Sequence, residues 1–244
     1  GPCSTATFLR PKGLDVLTRN DGTRLIVVAD TGNHRIRMIE YNHTDPGKSC
    51  HVRCFSGLCG NNTLSRTDYM TGRSWPISGF ADGRGNTSKF SAPESVAFLD
   101  NDYIAVADTG NFLIRLLDIS GFAWTLAGKL TDGLKDPSGN PLGGCPPPCL
   151  VGQQGYKDGP LDDSAFYNPL DVTRGVNNSI YVVDEHRLRV IELPSEIQEK
   201  TIIQTIISAG RVSTIAGSYK PFKDNNDTLY DLQGQDDGRG DEAT

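Results

Sequence analysis

The chain has 244 residues, of which 36% are apolar, 27 are Gly and 14 are Pro, and this composition is typical of many short strands joined by turns. No window is long and apolar enough to cross a membrane as a helix. The formal charge of -6 and the pI near 5.2 argue against the clustered cationic surface that a nucleic-acid binder needs. The sequence therefore predicts an all-β protein with no membrane span and no nucleic-acid partner.

A pair of predicted strands occurs three times along the chain. Its copies read LIVVADTGNHRIRMIE, IAVADTGNFLIRLLD and IYVVDEHRLRVIE, at residues 25–40, 104–118 and 180–192. In each copy an apolar run ends at an Asp, a polar turn follows, and a second run alternates charged with apolar residues, which is typical of a β-hairpin. Because Asp30, Asp108 and Asp184 are spaced 78 and 76 residues apart, the repeat runs through the whole chain.

A second motif precedes the hairpin in a constant register. DGRGNTSKFSAPESV and DGPLDDSAFYNPLDV, at residues 82–96 and 158–172, share Asp-Gly, then a Phe eight residues after the Asp, a Pro three residues later and a Val three beyond that. Residues 8–14 repeat the last three positions of this motif as Phe8, Pro11 and Leu14. This register makes Gly1 the counterpart of Gly83 and Gly159.

A third motif closes each unit with a short predicted strand that ends at Gly. It reads CFSG, TLAG and TIAG, at residues 54–57, 125–128 and 214–217. Each unit then has four strands: one after the Phe-x-x-Pro, two in the hairpin and one before the closing Gly. The units span residues of approximately 1–82, 83–158 and 159–237, and residues 238–244 begin the next. Four-stranded antiparallel units in series predict the blades of a β-propeller, whose neighbouring blades cover one another.

These combined motifs resemble the NHL repeat. The resemblance is carried by Phe-x-x-Pro-x-x-Val, by the strand into ADTGN with Ile-Arg or Leu-Ile-Arg following, and by the closing TLAG and TIAG; TGNHRIR at residues 31–37 is close to the segment that names the family. It covers most of the chain as about three repeats. It implies a β-propeller, usually six-bladed, in proteins that mostly bind partners. The repeats here are longer than the family norm, and the third keeps only DEHRLR.

The repeated polar residues are expected to fix the turn of each blade. Gly32 and Gly110 are expected to take positive φ there, while the neighbouring Asp and Asn side chains bond turn amides. An Arg follows in the alternating strand of every copy, and an ion pair with the repeat Asp or with a neighbouring blade is expected for Arg37, Arg115 and Arg189.

The extra length of the repeats lies between the units. Residues 58–89 and 129–165 show no strand pattern, and they are expected to be long loops ordered by Cys crosslinks. A further insert at residues 194–211 carries the alternating sequence TIIQTIIS. This alternation predicts longer outer strands in the third blade.

Cys residues and glycosylation sequons indicate the compartment. Six Cys lie mostly outside the apolar runs, as disulfides would, and their fifteen possible pairings stay open: Cys3, Cys50, Cys54, Cys59, Cys145 and Cys149. Five sequons begin at Asn42, Asn61, Asn86, Asn177 and Asn226. Together they predict a secreted or cell-surface glycoprotein. The chain opens without a charged and apolar leader, so a processed or excised segment is expected.

One secreted branch of the resembled family is a zinc lyase that makes peptide amides, so the His residues suggest a metal hypothesis. The four His are His34, His43, His51 and His186. No His-x-x-x-His or His-Glu-x-x-His pair exists, so we predict no catalytic metal and solvated turn histidines. The acidic turns at residues 224–227 and 236–242 could hold calcium, but neither has the fixed ligand spacing of a calcium loop. No cofactor is therefore predicted.

Two short motifs are explained without a function. Residues 239–241 spell Arg-Gly-Asp, the tripeptide read by adhesion receptors, but residues 83–86 repeat the same turn with Asn in the last place. The Gly-rich residues 139–144 follow no predicted strand and open no helix, so they do not predict a phosphate site. No catalytic residue is predicted.

The leading hypothesis is a non-catalytic extracellular glycoprotein scaffold, a structural or protein-binding β-propeller whose partners are another protein or further copies of itself. Three blades do not close a propeller, so blades of a longer chain, a second copy, or the next segment of a tandem array or fibre are expected to cover the remaining apolar faces. The alternative is a secreted propeller enzyme, a metal-dependent lyase or hydrolase acting at the central channel, which needs polar ligands from several blades at one depth.

Overall fold

The computed structural model describes residues 1–42, 50–59, 65–67, 74–132, 150–194, 203–217, 221–223 and 229–231. Over these residues the fold is all-β, because short antiparallel strands account for nearly all regular structure and a single short α-helix accompanies them. Three larger sheets, which we call sheets 1, 2 and 3, follow one another along the chain.

Sheet 1 has four antiparallel strands in chain order: β1 (Leu14–Thr18), β2 (Thr23–Asp30), β3 (Arg35–Asn42) and β4 (His51–Gly57). A single 3-10 turn, Thr31–Asn33, joins β2 to β3. The amino-terminal residues run beside β4, where the Val52 amide donates to the Gly1 carbonyl at 2.9 Å. A two-stranded hairpin follows, formed by β5 (Ser65–Thr67) and β6 (Ser74–Pro76).

Sheet 2 repeats this arrangement with one additional short strand at its outer edge. In chain order its strands are β7 (Gly83–Arg84), β8 (Ser95–Phe98), β9 (Tyr103–Asp108), β10 (Leu113–Asp118) and β11 (Phe122–Ala127). Their order in the sheet is β7-β11-β10-β9-β8. A second hairpin follows, formed by β12 (Leu130–Asp132) and β13 (Leu150–Gly152).

Sheet 3 has the same order again, β14-β18-β17-β16-β15. Its elements are β14 (Gly159–Pro160), β15 (Pro169–Arg174), β16 (Ser179–Asp184), β17 (Arg187–Glu192), the helix α1 (Ile203–Ala209) and β18 (Arg211–Ala216). A last hairpin pairs β19 (Pro221–Lys223) with β20 (Leu229–Asp231).

The register of the outer strands confirms the predicted equivalence of Gly1, Gly83 and Gly159. Gly83 pairs with Ala123 of sheet 2, and Gly159 pairs with Val212 of sheet 3. Gly1 exchanges hydrogen bonds with Val52, which holds the same place in sheet 1. Each unit therefore lays its first residues along its own outermost strand.

Two predictions about the inserts are wrong. Residues 58–89 and 129–165 were expected to lack strands, yet they contain the hairpins β5–β6 and β12–β13. Each of these strands has three residues, which is too short for an alternating pattern to show in the sequence. The TIIQTIIS segment was expected to extend a strand, but its described part from Ile203 onward belongs to α1 instead. The four-residue spacing of Ile pairs in the sequence suits one side of a helix. Ile206 of this helix is buried against sheet 3.

Each large sheet has two different faces, because side chains alternate along a strand. We call the side that carries Arg37, Arg115 or Arg189 the Arg face, and the opposite side, which carries Ile36, Ile114 or Leu188, the aliphatic face. The aliphatic face of sheet 1 packs on the Arg face of sheet 2 in one apolar core. The aliphatic face of sheet 2 packs on the Arg face of sheet 3 in a second core. The three sheets are thus stacked in sequence with a constant polarity.

Candidate functional site

The repeated Arg and the Asp of its own hairpin form a buried pair, and a more exposed Asp from the start of the motif joins it. In sheet 2 the Arg115 guanidinium donates from Nη1 to Asp108 Oδ2 at 2.9 Å and from Nη2 to Asp82 Oδ1 at 2.7 Å. Its centre lies 4.9 Å from the ring centroid of Phe90, in cation–π contact. The Asp108 carboxylate also accepts the Ser91 amide at 2.8 Å. The network therefore fixes the Phe-x-x-Pro segment to the central hairpin.

The same contacts recur in sheet 3, and sheet 1 keeps the contacts of the Arg with the repeat Asp and the repeat Phe. Arg189 donates to Asp184 at 3.0 Å and to Asp158 at 2.7 Å, and it lies 4.6 Å from the centroid of Phe166. In sheet 1 the contact from Arg37 to Asp30 is longer, at 3.4 Å. The expected ion pairs are therefore present in all three repeats. The roles of Asp82 and Asp158 were missed, although their constant register with the Phe was visible in the sequence.

Burial dominates the electrostatics of these networks. It raises the pKa of the Asp108 carboxyl, and the Arg115 charge together with hydrogen bonds from Asn111 and Ser91 opposes that rise. Burial likewise raises the pKa of Asp184, with Arg189 among the opposing groups. Since the side chains of Asp108, Arg115, Asp184 and Arg189 are fully buried and paired with one another, these groups hold each sheet together.

The turn residues differ from expectation in one respect. Neither Gly32 nor Gly110 has positive φ; the left-handed conformation is taken by His34 and Phe112, at φ 52° and 57°, and by Glu185 in the shorter third turn. The two Gly are needed for close approach instead. A Cβ on Gly110 would lie 2.7 Å from the Ser91 carbonyl oxygen, because the Phe-x-x-Pro segment crosses directly over the turn.

The Asp side chains also bind elsewhere than expected. They accept the amide of the residue after the repeat Phe, as Asp30 does from Leu9 at 2.8 Å, and not the amides of their own turn. The turn Asn supplies an additional donor to the carboxylate, as Asn33 does to Asp30 at 2.9 Å. The turn itself is closed by a backbone bond from the His34 amide to the Thr31 carbonyl at 3.1 Å, while the Asp reaches to the preceding segment.

The predicted histidines have separate environments. His34 is half-buried, and its Nδ1 accepts the Ala92 amide of the next repeat at 2.9 Å, so it is a contact between sheets and not the solvated turn residue that was expected. His51 is exposed on β4, and His186 lies in the β16–β17 turn. Over the described part of the chain, no cluster of three His, Cys, Asp or Glu side chains could hold a metal ion.

Four of the six Cys form two disulfides. Cys3 is bonded to Cys50, and Cys54 is bonded to Cys59. The first ties the amino-terminal segment to the start of β4, and the second closes a short loop at the end of β4. Within the described ranges no helix has the length and apolar character that a membrane span requires.

The remaining predicted residues are partly described. Asn86 and Asn177 are exposed, and Asn42 is half-buried at the end of β3. Other predicted features lie outside the described residues: Asn61, Asn226, Cys145, Cys149, His43, and residues 139–144, 224–227 and 236–242.

Two outer faces of the stack repeat the chemistry of its buried cores. On the Arg face of sheet 1, Leu14 and Val16 are 61% and 45% exposed, whereas their counterparts Val96 and Phe98 in sheet 2 are 3% and 6% exposed. On the aliphatic face of sheet 3, Val183, Leu188 and Ile215 are 38–40% exposed, whereas their counterparts Ala107, Ile114 and Leu126 are at most 1% exposed. The position of Leu14 is buried in both sheets that have a neighbour on the Arg face, as Val96 and Val172, and the position of Leu188 is buried in both sheets that have a neighbour on the aliphatic face, as Ile36 and Ile114.

A cavity of about 680 Å³ opens between sheets 2 and 3. Its apolar wall is formed by Leu99, Leu116, Ile180, Leu193 and Ile206. Polar side chains also line it, including Tyr103, Arg174 and Asn177. No ion pair to Arg174 is formed by the carboxylates of the described residues.

Comparison with known proteins identifies a fold likeness only. The chain matches no protein-family model, and no curated protein matches it in sequence. A protein of Bacteroides thetaiotaomicron provisionally named a phosphatase has a TM-score of 0.50 at 19% identity, over 77% of this chain and 35% of that chain.

Two proteins named auxiliary nutrient binding proteins are also similar. The one from Bacteroides ovatus has a TM-score of 0.49 at 16% identity, over 83% of this chain and 37% of that chain. The one from Bacteroides thetaiotaomicron has a TM-score of 0.45 at 19% identity, over 70% of this chain and 34% of that chain. The chain spans about a third of the length of these structures.

Proposed function

We propose that the chain is a non-catalytic extracellular scaffold, a β-propeller segment of the NHL type whose two outer sheet faces dock onto further sheets of the same repeat. The observation that carries this proposal is the exposure of Leu14 and Leu188 at positions that are buried in every internal interface. The two disulfides support an oxidising compartment, since such bonds persist outside the reducing cytosol.

The two outer faces are the two halves of one interface. Inside the chain, an aliphatic face packs on an Arg face twice. The free faces are an Arg face on sheet 1 and an aliphatic face on sheet 3, so a second copy offers each of them its missing partner. Such a contact is head-to-tail, and two copies of three sheets supply the six blades that the resemblance implies.

The volumes of the free faces are also compatible. In the core between sheets 1 and 2, Val27 of the aliphatic face lies in one cluster with Phe98 of the Arg face. At the corresponding free positions sheet 3 has the larger Tyr181 and sheet 1 the smaller Val16. The larger side chain of Tyr181 on sheet 3 therefore compensates for the smaller side chain of Val16 on sheet 1, so the total side-chain volume is conserved, as close packing requires.

One internal contact has no counterpart on sheet 3. Thr31 donates to the Pro93 carbonyl across the first interface, and Thr109 donates to the Pro169 carbonyl across the second, each at 2.6 Å. The shortened third turn carries Glu185 after its Asp and has no Thr there. We therefore expect docking at sheet 3 to be weaker than the internal contacts, and hence dependent on concentration.

We propose that the chain is not catalytic because its repeated polar side chains form hydrogen bonds and ion pairs within the protein. Asp108, Arg115 and their equivalents bond to one another and to backbone groups of their own repeat. A reaction would need such groups to be presented to a substrate. Stoichiometric zinc or calcium in the purified native protein, removed together with an activity by chelation, would favour the secreted enzyme instead.

Sedimentation of face variants tests the docking. We expect the chain to associate as concentration rises, and Leu14→Asp or Leu188→Asp to leave it monomeric, because each places a charge in one half of the interface. An equimolar mixture of the two variants should form dimers and nothing larger, since each variant keeps the half that the other has lost. Val176→Asp, an exposed apolar residue outside both faces, is the matched control.

The docking proposal fails if the unsubstituted chain stays monomeric at about 100 μM, well above the working range of a specific interface. It also fails if the mixture of the two variants remains monomeric while both variants keep the circular dichroism of the parent.

A further inference from the structure

The cavity between sheets 2 and 3 exists because two positions that are apolar in the core between sheets 1 and 2 carry polar side chains here. In the core between sheets 1 and 2 the corresponding space is filled by six apolar side chains, Leu17, Leu25, Met38, Phe98, Ile104 and Ile119. Their counterparts one repeat later are the cavity-lining Leu99, Tyr103, Leu116, Arg174, Ile180 and Leu193. Four of the six remain apolar, whereas Leu25 is replaced by Tyr103 and Phe98 by Arg174.

The strand registers make these equivalences firm. Phe98 pairs with Ile104 in sheet 2, and Arg174 pairs with Ile180 in sheet 3. Phe98 is a buried side chain of the first core, but Arg174 is exposed and lines the cavity in the second. Without the Phe ring the space opens to about 680 Å³, which is within the usual size of a small-molecule site.

We propose that this cavity binds a small amphipathic anion, with an apolar body against the aliphatic wall and a carboxylate on Arg174. A guanidinium binds a carboxylate through two parallel hydrogen bonds. The five aliphatic side chains form one apolar wall, so the ligand needs an apolar part to lie against it. This site is separate from the docking faces and does not depend on them.

The other polar groups of the cavity restrict how the ligand lies. Burial and the charges of Asp100, Asp102 and Asp118 raise the pKa of Tyr103, so its hydroxyl stays protonated and can donate a hydrogen bond. Asp100 uses Oδ1 to accept the amides of Asp102 and Tyr103, each at 2.7 Å, and thereby fixes the β8–β9 turn. Arg174 is the one cationic side chain among the described residues that line the cavity, so the anionic group belongs on Arg174.

Three probes of one shape test the charge preference by isothermal titration and saturation-transfer NMR. They are 3-phenylpropanoate, its neutral amide 3-phenylpropanamide and the cation 3-phenylpropylamine. We expect the anion to bind on the order of tenfold more tightly than the amide, which is the difference expected from a charge-assisted hydrogen bond. Equal binding of anion and amide, tightest binding of the amine, or no binding of the anion would overturn the proposal.

Two substitutions at one position separate charge from space. Arg174→Gln keeps the cavity open and should bring the anion to the affinity of the amide. Arg174→Phe installs the side chain that fills the first core, so it should abolish binding of all three probes and raise the midpoint of thermal unfolding. Arg211→Gln, which removes an exposed cation from the same sheet, should leave the anion affinity unchanged. Unaltered anion binding by Arg174→Phe would show that the ligand is elsewhere and would overturn the assignment.

Discussion

Arg115 Nη1 lies 2.9 Å from Asp108 Oδ2, and both side chains are fully buried between sheets 1 and 2. Such a pair is costly to desolvate and needs further hydrogen bonds to be stable. Here Arg115 also bonds to Asp82 and to the Lys89 and Ala81 carbonyls, while Asp108 accepts from Ser91 and Asn111. The pair therefore links three separate stretches of one repeat, and its main effect is to fix their relative positions.

Removal of either partner should destabilise the fold strongly. Arg115→Ala or Asp108→Ala leaves a buried charge unpaired, and we expect each to lower the free energy of unfolding by about 3–5 kcal/mol. The double variant should lose less than the sum of the two, by about 1–3 kcal/mol, because the second substitution removes the charge that the first has stranded. Urea denaturation measures all four corners of the cycle.

An exposed Arg provides the control for this cycle. The exposed Arg84 donates to the exposed Ser120 hydroxyl at 3.0 Å, and Arg84→Ala should change stability by no more than about 0.5 kcal/mol. Additive effects of Arg115→Ala and Asp108→Ala would show that the two side chains are not coupled.

The turn Gly is predicted to be sensitive to a single methyl group. A Cβ at Gly110 would lie 2.7 Å from the Ser91 carbonyl oxygen, and backbone cannot move aside as a flexible side chain can. Gly110→Ala should therefore cost about 1–3 kcal/mol. Gly155→Ala is the control, since its Cβ would meet only the Ala165 Cβ, at 3.5 Å. Equal midpoints of thermal unfolding for both variants would contradict this account.

The sequence predicted the parts of the fold that depend on local period and register. Alternating apolar residues around Asp108 define the hairpin, and the constant spacing of Asp, Phe and Pro makes Gly1, Gly83 and Gly159 equivalent, although it does not predict that they lie along the outermost strands. The sequence also pairs Arg115 with Asp108, because the two flank one turn. Each of these relations lies within a single repeat.

Relations between sheets were not predictable in the same way. Arg174 in an alternating strand indicates an exposed position. That a cavity lies beside it follows only from the stacking of sheets 2 and 3, because the equivalent Phe98 fills this position in the core between sheets 1 and 2. The left-handed residue of the turn is His34 or Phe112 and not a Gly, because the residue that follows the TGN ends the 3-10 turn and takes the positive φ. The helix α1 was missed because two Ile pairs fit both a strand and one face of a helix.

His34 should make stability fall in mildly acidic solution. Burial lowers its pKa from the ordinary value, and its Nδ1 must be unprotonated to accept the Ala92 amide. As the pH falls below about 6.5, the unfolded chain binds a proton that folded His34 does not, so stability is lost progressively toward the lowered folded pKa.

The substitution His34→Asn tests this relation. Asn tolerates the left-handed conformation and its Oδ1 can accept the same amide, but it does not titrate. We expect the loss of thermal stability between pH 7.5 and pH 5.5 to be smaller in His34→Asn than in the unsubstituted chain. His51→Asn, at an exposed position, should leave the loss unchanged. The same pH dependence in all three proteins would exclude His34 as its source.

The two disulfides should differ in their contribution to stability. Cys3–Cys50 closes a loop with a separation of 47 residues, and Cys54–Cys59 closes one with a separation of 5. Chain entropy then gives a stabilisation of about 4 kcal/mol for the first and about 2 kcal/mol for the second. The paired substitutions Cys3→Ser with Cys50→Ser, and Cys54→Ser with Cys59→Ser, are controls for each other in urea denaturation. If the short loop matters as much as the long one, the stabilisation resides in folded-state contacts of β4 and not in the unfolded chain.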